Sequence, residues 1–172
     1  MQTILESNKM DNLQQRLNHY QRQVQEGELN VVYEYLIKTL MQTKQYLVRQ
    51  PERGFEYGNV APGYLDYSYF PIVNNFLKKR KLRFGIVLNH QKLCLELWLM
   101  GQNVTIQKAY WQKLQHSQWN KHLTQMPQYS VLASELISHP DFTQKNALFI
   151  EIEKQLFPLM DEVMCFIEKI EK

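Results

Sequence analysis

Between residues 81 and 100 the chain reads KLRFGIVLNHQKLCLELWLM, and apolar and polar positions alternate through it in two in-phase runs. Leu82, Phe84, Ile86 and Leu88 share one face of a first strand, and Leu93, Leu95, Leu97 and Leu99 share one face of a second. Closed about His90 and Gln91, the runs bring Leu88 against Leu93, Ile86 against Leu95, Phe84 against Leu97 and Leu82 against Leu99. A one-residue slip would turn every one of these side chains to the wrong face, so the register of this antiparallel hairpin over residues 82–99 is expected to be well specified. Its other face carries Arg83, Gly85, Val87, Cys94, Glu96 and Trp98.

Upstream the period changes to that of helices. Met10, Leu13, Leu17, Tyr20 and Val24 step by three and four, which predicts a helix over 8–26 capped by Asn8, with Asp11 in its first turn and Gly27 at its end. Val32, Leu36, Leu40 and Leu47 predict a second helix over 28–49, closed by Pro51. The short link at Gly27 makes the two an antiparallel pair. Residues 50–63 hold three glycines and two prolines and read as a loop. GYLDYSYF, over 63–70, reads as a strand, and 71–80 as a short helix.

Downstream, Asn103 caps a helix over 103–115 that turns Ile106, Tyr110, Trp111 and Leu114 inward. Residues 129–137 read as a fourth strand, with a helix as the competing reading because Leu132, Glu135 and Leu136 also fit a period of 3.6. A long helix over 143–169 keeps a stripe of Leu148, Ile152, Leu156, Leu159, Val163, Phe166 and Ile170, and Pro158 should kink or split it. The sum is a single-domain α+β protein over 1–172: a small, at least partly antiparallel sheet, an N-terminal helical pair and a long C-terminal helix, with helices covering the leucine face.

The composition excludes few functions. A chain of 172 residues with 44% hydrophobic and 22% charged residues is an ordinary globular one, and a net charge of +3 permits an anionic partner without requiring it. The 10 tyrosines suggest half-buried surfaces or a groove. Two cysteines, Cys94 and Cys165, make no disulfide framework and are expected as buried, reduced thiols. No signal peptide and no membrane-spanning run is apparent, which points to the cytoplasm and away from a membrane.

Three constellations carry candidate chemistry. Asp66, Arg83, Glu96 and Trp98 can share the polar face of the sheet. Arg83 should face Trp98 and lie diagonal to Glu96, within reach of an ion pair and a cation–π contact. Two carboxylates on adjacent strands also suit a hard divalent cation in a phosphodiester-cleaving site. The bland alternative is an Arg–Glu pair closing one face of a sheet.

The basic run KKRKLR, 78–83, near Tyr64, Tyr67, Tyr69 and Trp98, would suit single-stranded nucleic acid, but cations ending a helix explain it equally, and nucleic acid is not favoured. The helices at both ends of the chain have narrow stripes close to a coiled-coil seam. These allow a homodimer as well as packing within one chain. No histidine or cysteine spacing suggests a metal, and no glycine-rich phosphate loop or nucleophile elbow is present.

The run 84–114 resembles a segment of the restriction-endonuclease-like nuclease fold, in which an Asp on one strand and a Glu-x-Lys on the next hold metal and water. That resemblance would give Asp66 and Glu96 the acidic positions. Glu96-Leu97-Trp98 departs from it, with Trp where the family has Lys. More of the chain is similar to a family of small uncharacterised bacterial proteins, through GYLDYSYF, KLRFGIVLNH, LELWLMGQN, KAYWQKL and SHPDFT. That similarity implies a single domain and no catalytic residue.

The expectation is a binding or accessory module without catalysis or cofactor. Its ligand or protein partner is unidentified, and Tyr64, Tyr67, Arg83, Glu96 and Trp98 are the binding candidates. The alternative is a metal-dependent nuclease relative, active or degenerate, using Asp66 and Glu96.

Overall fold

The computed structural model describes residues 2–50 and 53–172, with side chains from residue 12 onward within them. In chain order the elements are α1 (Gln2–Glu26), α2 (Glu28–Val48), β1 (Glu56–Tyr57), β2 (Tyr67–Val73), α3 (Asn75–Lys79), β3 (Leu82–Asn89), β4 (Cys94–Gly101), α4 (Val104–Leu114), β5 (Leu132–Ile137) and α5 (Lys145–Ile170). The chain divides within α2 into two compact units, Met1–Leu36 and Ile37–Lys172.

In the first unit, α1 begins well upstream of Asn8, which is therefore inside the helix and does not cap it. The side chains of Met10 and Asp11 lie outside the described residues. Gly27, at φ +78°, separates α1 from α2 as expected. The apolar stripe of α1 is exposed: Leu13, Leu17 and Tyr20 are 51%, 49% and 64% exposed. Polar pairs one turn apart decorate the helix instead, Arg16 on Asn12 at 2.9 Å and Gln14 on Asn18 at 3.1 Å.

The second unit is built on a five-stranded sheet in the order β1-β2-β3-β4-β5, every pair antiparallel. The α+β reading holds, and β1 adds a strand inside the stretch read as loop. The leucine face is the core. Phe70, Ile72, Phe84, Ile86, Leu97 and Leu99 have no exposed surface, and the α5 residues Ile152, Leu156, Met160 and Val163 are equally buried. From α2, Leu40 and Leu47 are buried, and the Tyr46 hydroxyl donates to Glu153 of α5 at 2.7 Å. Glu171, just past α5, accepts from Arg80 Nε and from the Tyr110 hydroxyl, each at 2.7 Å, and so ties the ends of α3, α4 and α5 together.

The hairpin keeps its predicted faces but not its predicted partners. Phe84 pairs with Leu99, Ile86 with Leu97 and Leu88 with Leu95. The reason is the loop. It holds four residues, 90–93, because the Asn89 side-chain oxygen accepts from the Gln91 and Lys92 amides at 3.1 Å and Leu93 takes φ +49°. The shift is two residues, and with a side-chain period of two it changes every partner and no face within the strands, while Leu93, expected on the leucine face opposite Leu88, falls in the loop and is exposed.

GYLDYSYF is a strand only from Tyr67. Before it, Gly63 (φ +71°) and Leu65 (φ +65°) make a tight turn, and a Cβ at Gly63 would collide with the Tyr67 carbonyl. The strand then runs on through Pro71, Ile72 and Val73, where the sequence predicts the start of a helix. Pro71 is tolerated because its carbonyl, and hence its missing donor, faces the irregular β1 side, where Gly58 N donates to it at 2.8 Å.

Asn103 caps α4 as expected, accepting from Ile106 N at 3.0 Å, and residues 132–137 are a strand and not a helix. Inside α4 it is Gln107, Tyr110 and Leu114 that are buried. Pro158 does not split α5; it sits on the exposed side, where the orphaned carbonyl can be hydrated. The buried stripe of α5 ends on Met160, Val163 and Ile167, leaving Ile170 and Cys165 exposed, which corrects the expectation of two buried thiols. Pro51, expected to close α2, lies outside the described residues. No described helix is long and apolar enough to cross a membrane.

Candidate functional site

The second face of the sheet is only partly covered. Val87, Trp98 and Met100 form a small buried cluster there, with Tyr67, Tyr69 and Ala133 packed against it. Gly85 makes room for this layer: a Cβ at that position would stand 2.6 Å from Met100 Cε. Toward the hairpin loop the layer opens into a cleft of about 820 Å³. Its floor is β4 and β5, and one wall is the segment between α4 and β5.

Glu96 is the centre of the floor. It is 7% exposed, yet its carboxylate is well supplied with donors. The Trp98 indole donates to Oε2 at 2.6 Å, Asn89 Nδ2 donates to Oε1 at 3.0 Å, and Lys92 Nζ stands 3.8 Å from Oε1. Asn89 thus closes the hairpin loop with its oxygen and holds Glu96 with its nitrogen. A buried carboxylate needs such partners, and charge-assisted bonds of this kind are the strong ones.

Glu135 on β5 lies directly opposite Glu96 across the ladder, beside a bulge at Leu95/Glu96, and is exposed. Cys94 feels both carboxylates: burial first, then the Glu96 and Glu135 charges, push its thiol up to about 11.

The aromatic wall is Tyr67, Trp98 and Tyr129. Trp98 and Tyr129 are nearly parallel, 9° apart, with centroids 6.4 Å from each other. Tyr67 meets both edge-on, at 4.8 and 6.2 Å. The wall segment is pinned from beneath: Asn120, fully buried, donates to the Val131 carbonyl at 2.9 Å, and Trp119 stacks edge-on against Phe166 of α5 at 5.5 Å.

Of the residues singled out from the sequence, Asp66, Tyr67, Glu96 and Trp98 all line this cleft. Asp66 is not on a strand. Its Oδ1 accepts from the Tyr67 and Tyr64 amides at 2.6 and 3.2 Å, and these bonds hold its carboxyl below the usual range. Tyr64 is 95% exposed.

Arg83 is not part of the cleft. It pairs with Met100, at the far end of β3, six residues or roughly 20 Å from Asn89. It lines a separate shallow pocket with Lys78 and Lys81, and its Nε is buried without a partner. The expected Arg83–Glu96 pair is absent because the four-residue loop moved the register. The basic run is split as well: Lys78 pairs with Glu56 at 2.5 Å, and Arg80 pairs with Glu171 and lies over the Phe76 ring at 3.7 Å.

Missed from the sequence were Asn89, Glu135 and Tyr129. Glu135 had a signal: on a strand next to β4 it alternates onto the face of Glu96. Tyr129 precedes its strand and had none.

Ser68 and His90 also meet, with Oγ and Nε2 2.7 Å apart. Ser68 has no exposed surface and donates its proton to the Pro62 carbonyl, so His90 must be the donor to Ser68. This pair fastens the 62–68 turn to the hairpin loop and offers no accessible nucleophile. Among the described residues no group of three or more His, Cys, Asp or Glu could hold a metal ion.

Fold and cleft together define an α+β module with a meander sheet, one face covered by helices and the other carrying an aromatic, acidic cleft. The family described as a domain of unknown function, DUF7000, matches residues 13–167, and the chain belongs to it. No curated protein and no solved structure matches the chain.

Proposed function

We propose that this protein is a binding module of the cytoplasm whose ligand occupies the cleft over β4 and β5, and that it performs no chemistry of its own. The observation that carries this reading is the convergence of Tyr67, Trp98 and Tyr129 with a hydrogen-bonded Glu96 in one open cavity of drug-sized volume. Rigid aromatic surface with a few fixed polar groups is what binding requires. The two free thiols fit a reducing compartment.

The alternative, a metal-dependent nuclease relative using Asp66 and Glu96, shares the cleft. Against it, Asp66 Oδ1 is tied to two backbone amides in a turn, and among the described residues the two carboxylates belong to no group of three or more ligands that could hold a metal ion. Trp98 also occupies the position where that chemistry needs a lysine.

Thermal denaturation with a chemically diverse fragment library tests the reading. Fragments should stabilise the wild type and lose that effect in Tyr129→Ala, an exposed position whose loss spares the fold. A library with no stabilising fragment, or hits indifferent to Tyr129, would overturn it. Plasmid cleavage with Mg²⁺ or Mn²⁺ that both Asp66→Ala and Glu96→Ala abolish would establish the nuclease instead.

A further inference from the structure

We propose that the group the cleft accepts is an organic cation, a guanidinium or ammonium, set against the Trp98 and Tyr129 rings and neutralised by Glu96 and Glu135; this rests on the cleft being a ligand site at all. The chain as a whole carries a net charge of +3. The cleft inverts that sign: Asp66, Glu96 and Glu135 line it against one lysine, Lys92. Glu96 and Glu135 stand opposite each other across the ladder, an arrangement that is unfavourable between like charges unless a cation lies near them. Lys92 is an incomplete answer. It is 3.8 Å from Glu96 and its side chain is 66% exposed, and among the described residues nothing pairs with Glu135.

The aromatic groups point the same way. Ring faces attract cations through their quadrupole, most strongly for tryptophan, and Trp98, Tyr129 and Tyr67 gather at one wall of the same cavity. Burial is the main cause that pushes the Cys94 thiol up to about 11, and the Glu96 and Glu135 charges beside it act in the same direction. A guanidinium suits the site best because it can stack on a ring and donate to two carboxylates at once. The source is either a free small amine or an arginine side chain on a peptide, and the two are separated by probe.

Isothermal titration with agmatine, with acetyl-Gly-Arg-Gly-amide and with its citrulline counterpart decides the matter. At low salt at least one guanidinium probe should bind, and the citrulline peptide should bind at least tenfold more weakly or not at all. Stronger binding of agmatine assigns a free amine, and stronger binding of the peptide an arginine side chain. Glu135→Gln, at an exposed position, should weaken binding by about fivefold, Tyr129→Ala by about threefold, and Lys92→Ala should tighten it, since each changes one charge or one ring contact. Equal binding of the citrulline and arginine peptides, or indifference to Glu135→Gln, would overturn the proposal. If neutral or acidic fragments stabilise the protein in a Tyr129-dependent way while neither guanidinium probe binds, the cation assignment fails and the ligand site stands. If no fragment and no probe binds, both fail.

Discussion

The Trp98 indole donates to the carboxylate of Glu96 at 2.6 Å, and the two residues are neighbours on one face of the same strand. The bond fixes the ring plane and satisfies a charge that is almost wholly out of water. Trp98→Phe keeps an aromatic ring there but removes the donor. It should destabilise the fold by roughly 1.5–3 kcal/mol, the range for a hydrogen bond to a charged group. Urea denaturation measures it. An unchanged midpoint would mean that water or Lys92 replaces the indole without loss.

The cysteines differ sharply in access. Cys94 is buried, and its thiol is pushed up to about 11, so it stays protonated at any ordinary pH. Cys165 is exposed on α5. A disulfide exchange reagent at pH 8 should therefore titrate one thiol quickly in the native protein, and Cys165→Ser should abolish that phase. Rapid reaction of two thiols would show that the Cys94 end of β4 opens readily.

His90 makes stability depend on pH. Burial lowers its pKa below 6.5 in the folded protein, and the Asp66 carboxylate only partly opposes this. The neutral ring is favoured by folding, so its contribution is complete above 6.5 and is lost as pH falls from there toward the lowered folded value. Asp66 and Glu171 have lowered carboxyl pKa values, and their contributions are lost only at more acid pH. The urea midpoint should therefore fall between about pH 6.5 and the carboxylate range, and His90→Gln should flatten that step. A midpoint that rises on acidification in this window would reverse the assignment.

Much of this arrangement was legible in the alternation of residues 82–99. Period-two patterning specifies faces, so the burial of Ile86 and Leu95 was predictable, and so was the polar company of Glu96 and Trp98. Register was not, because it depends on how Asn89 bonds the loop amides, and no hydrophobic pattern encodes that. The same two-residue difference separated Arg83 from the site.

The aromatic neighbours of Asp66 predict a strand, whereas the positive φ of Gly63 and Leu65 makes it a turn residue. The helical stripe of α1 was visible, but a stripe does not say whether anything covers it. Glu135 and Tyr129 joined the site through the pairing of β5 with β4, a long-range choice that a single sequence leaves open.

Ligand binding in the cleft is read most directly from the indole resonances. The protein has three tryptophans; Trp98 and Trp119 line the cleft, and Trp111 is on α4 outside it. In the ¹⁵N-labelled protein, titration with any stabilising fragment or guanidinium probe should move the Trp98 and Trp119 indole N–H signals together and leave Trp111 in place. A shift confined to Trp111, or binding seen by calorimetry with all three indoles unmoved, would contradict it.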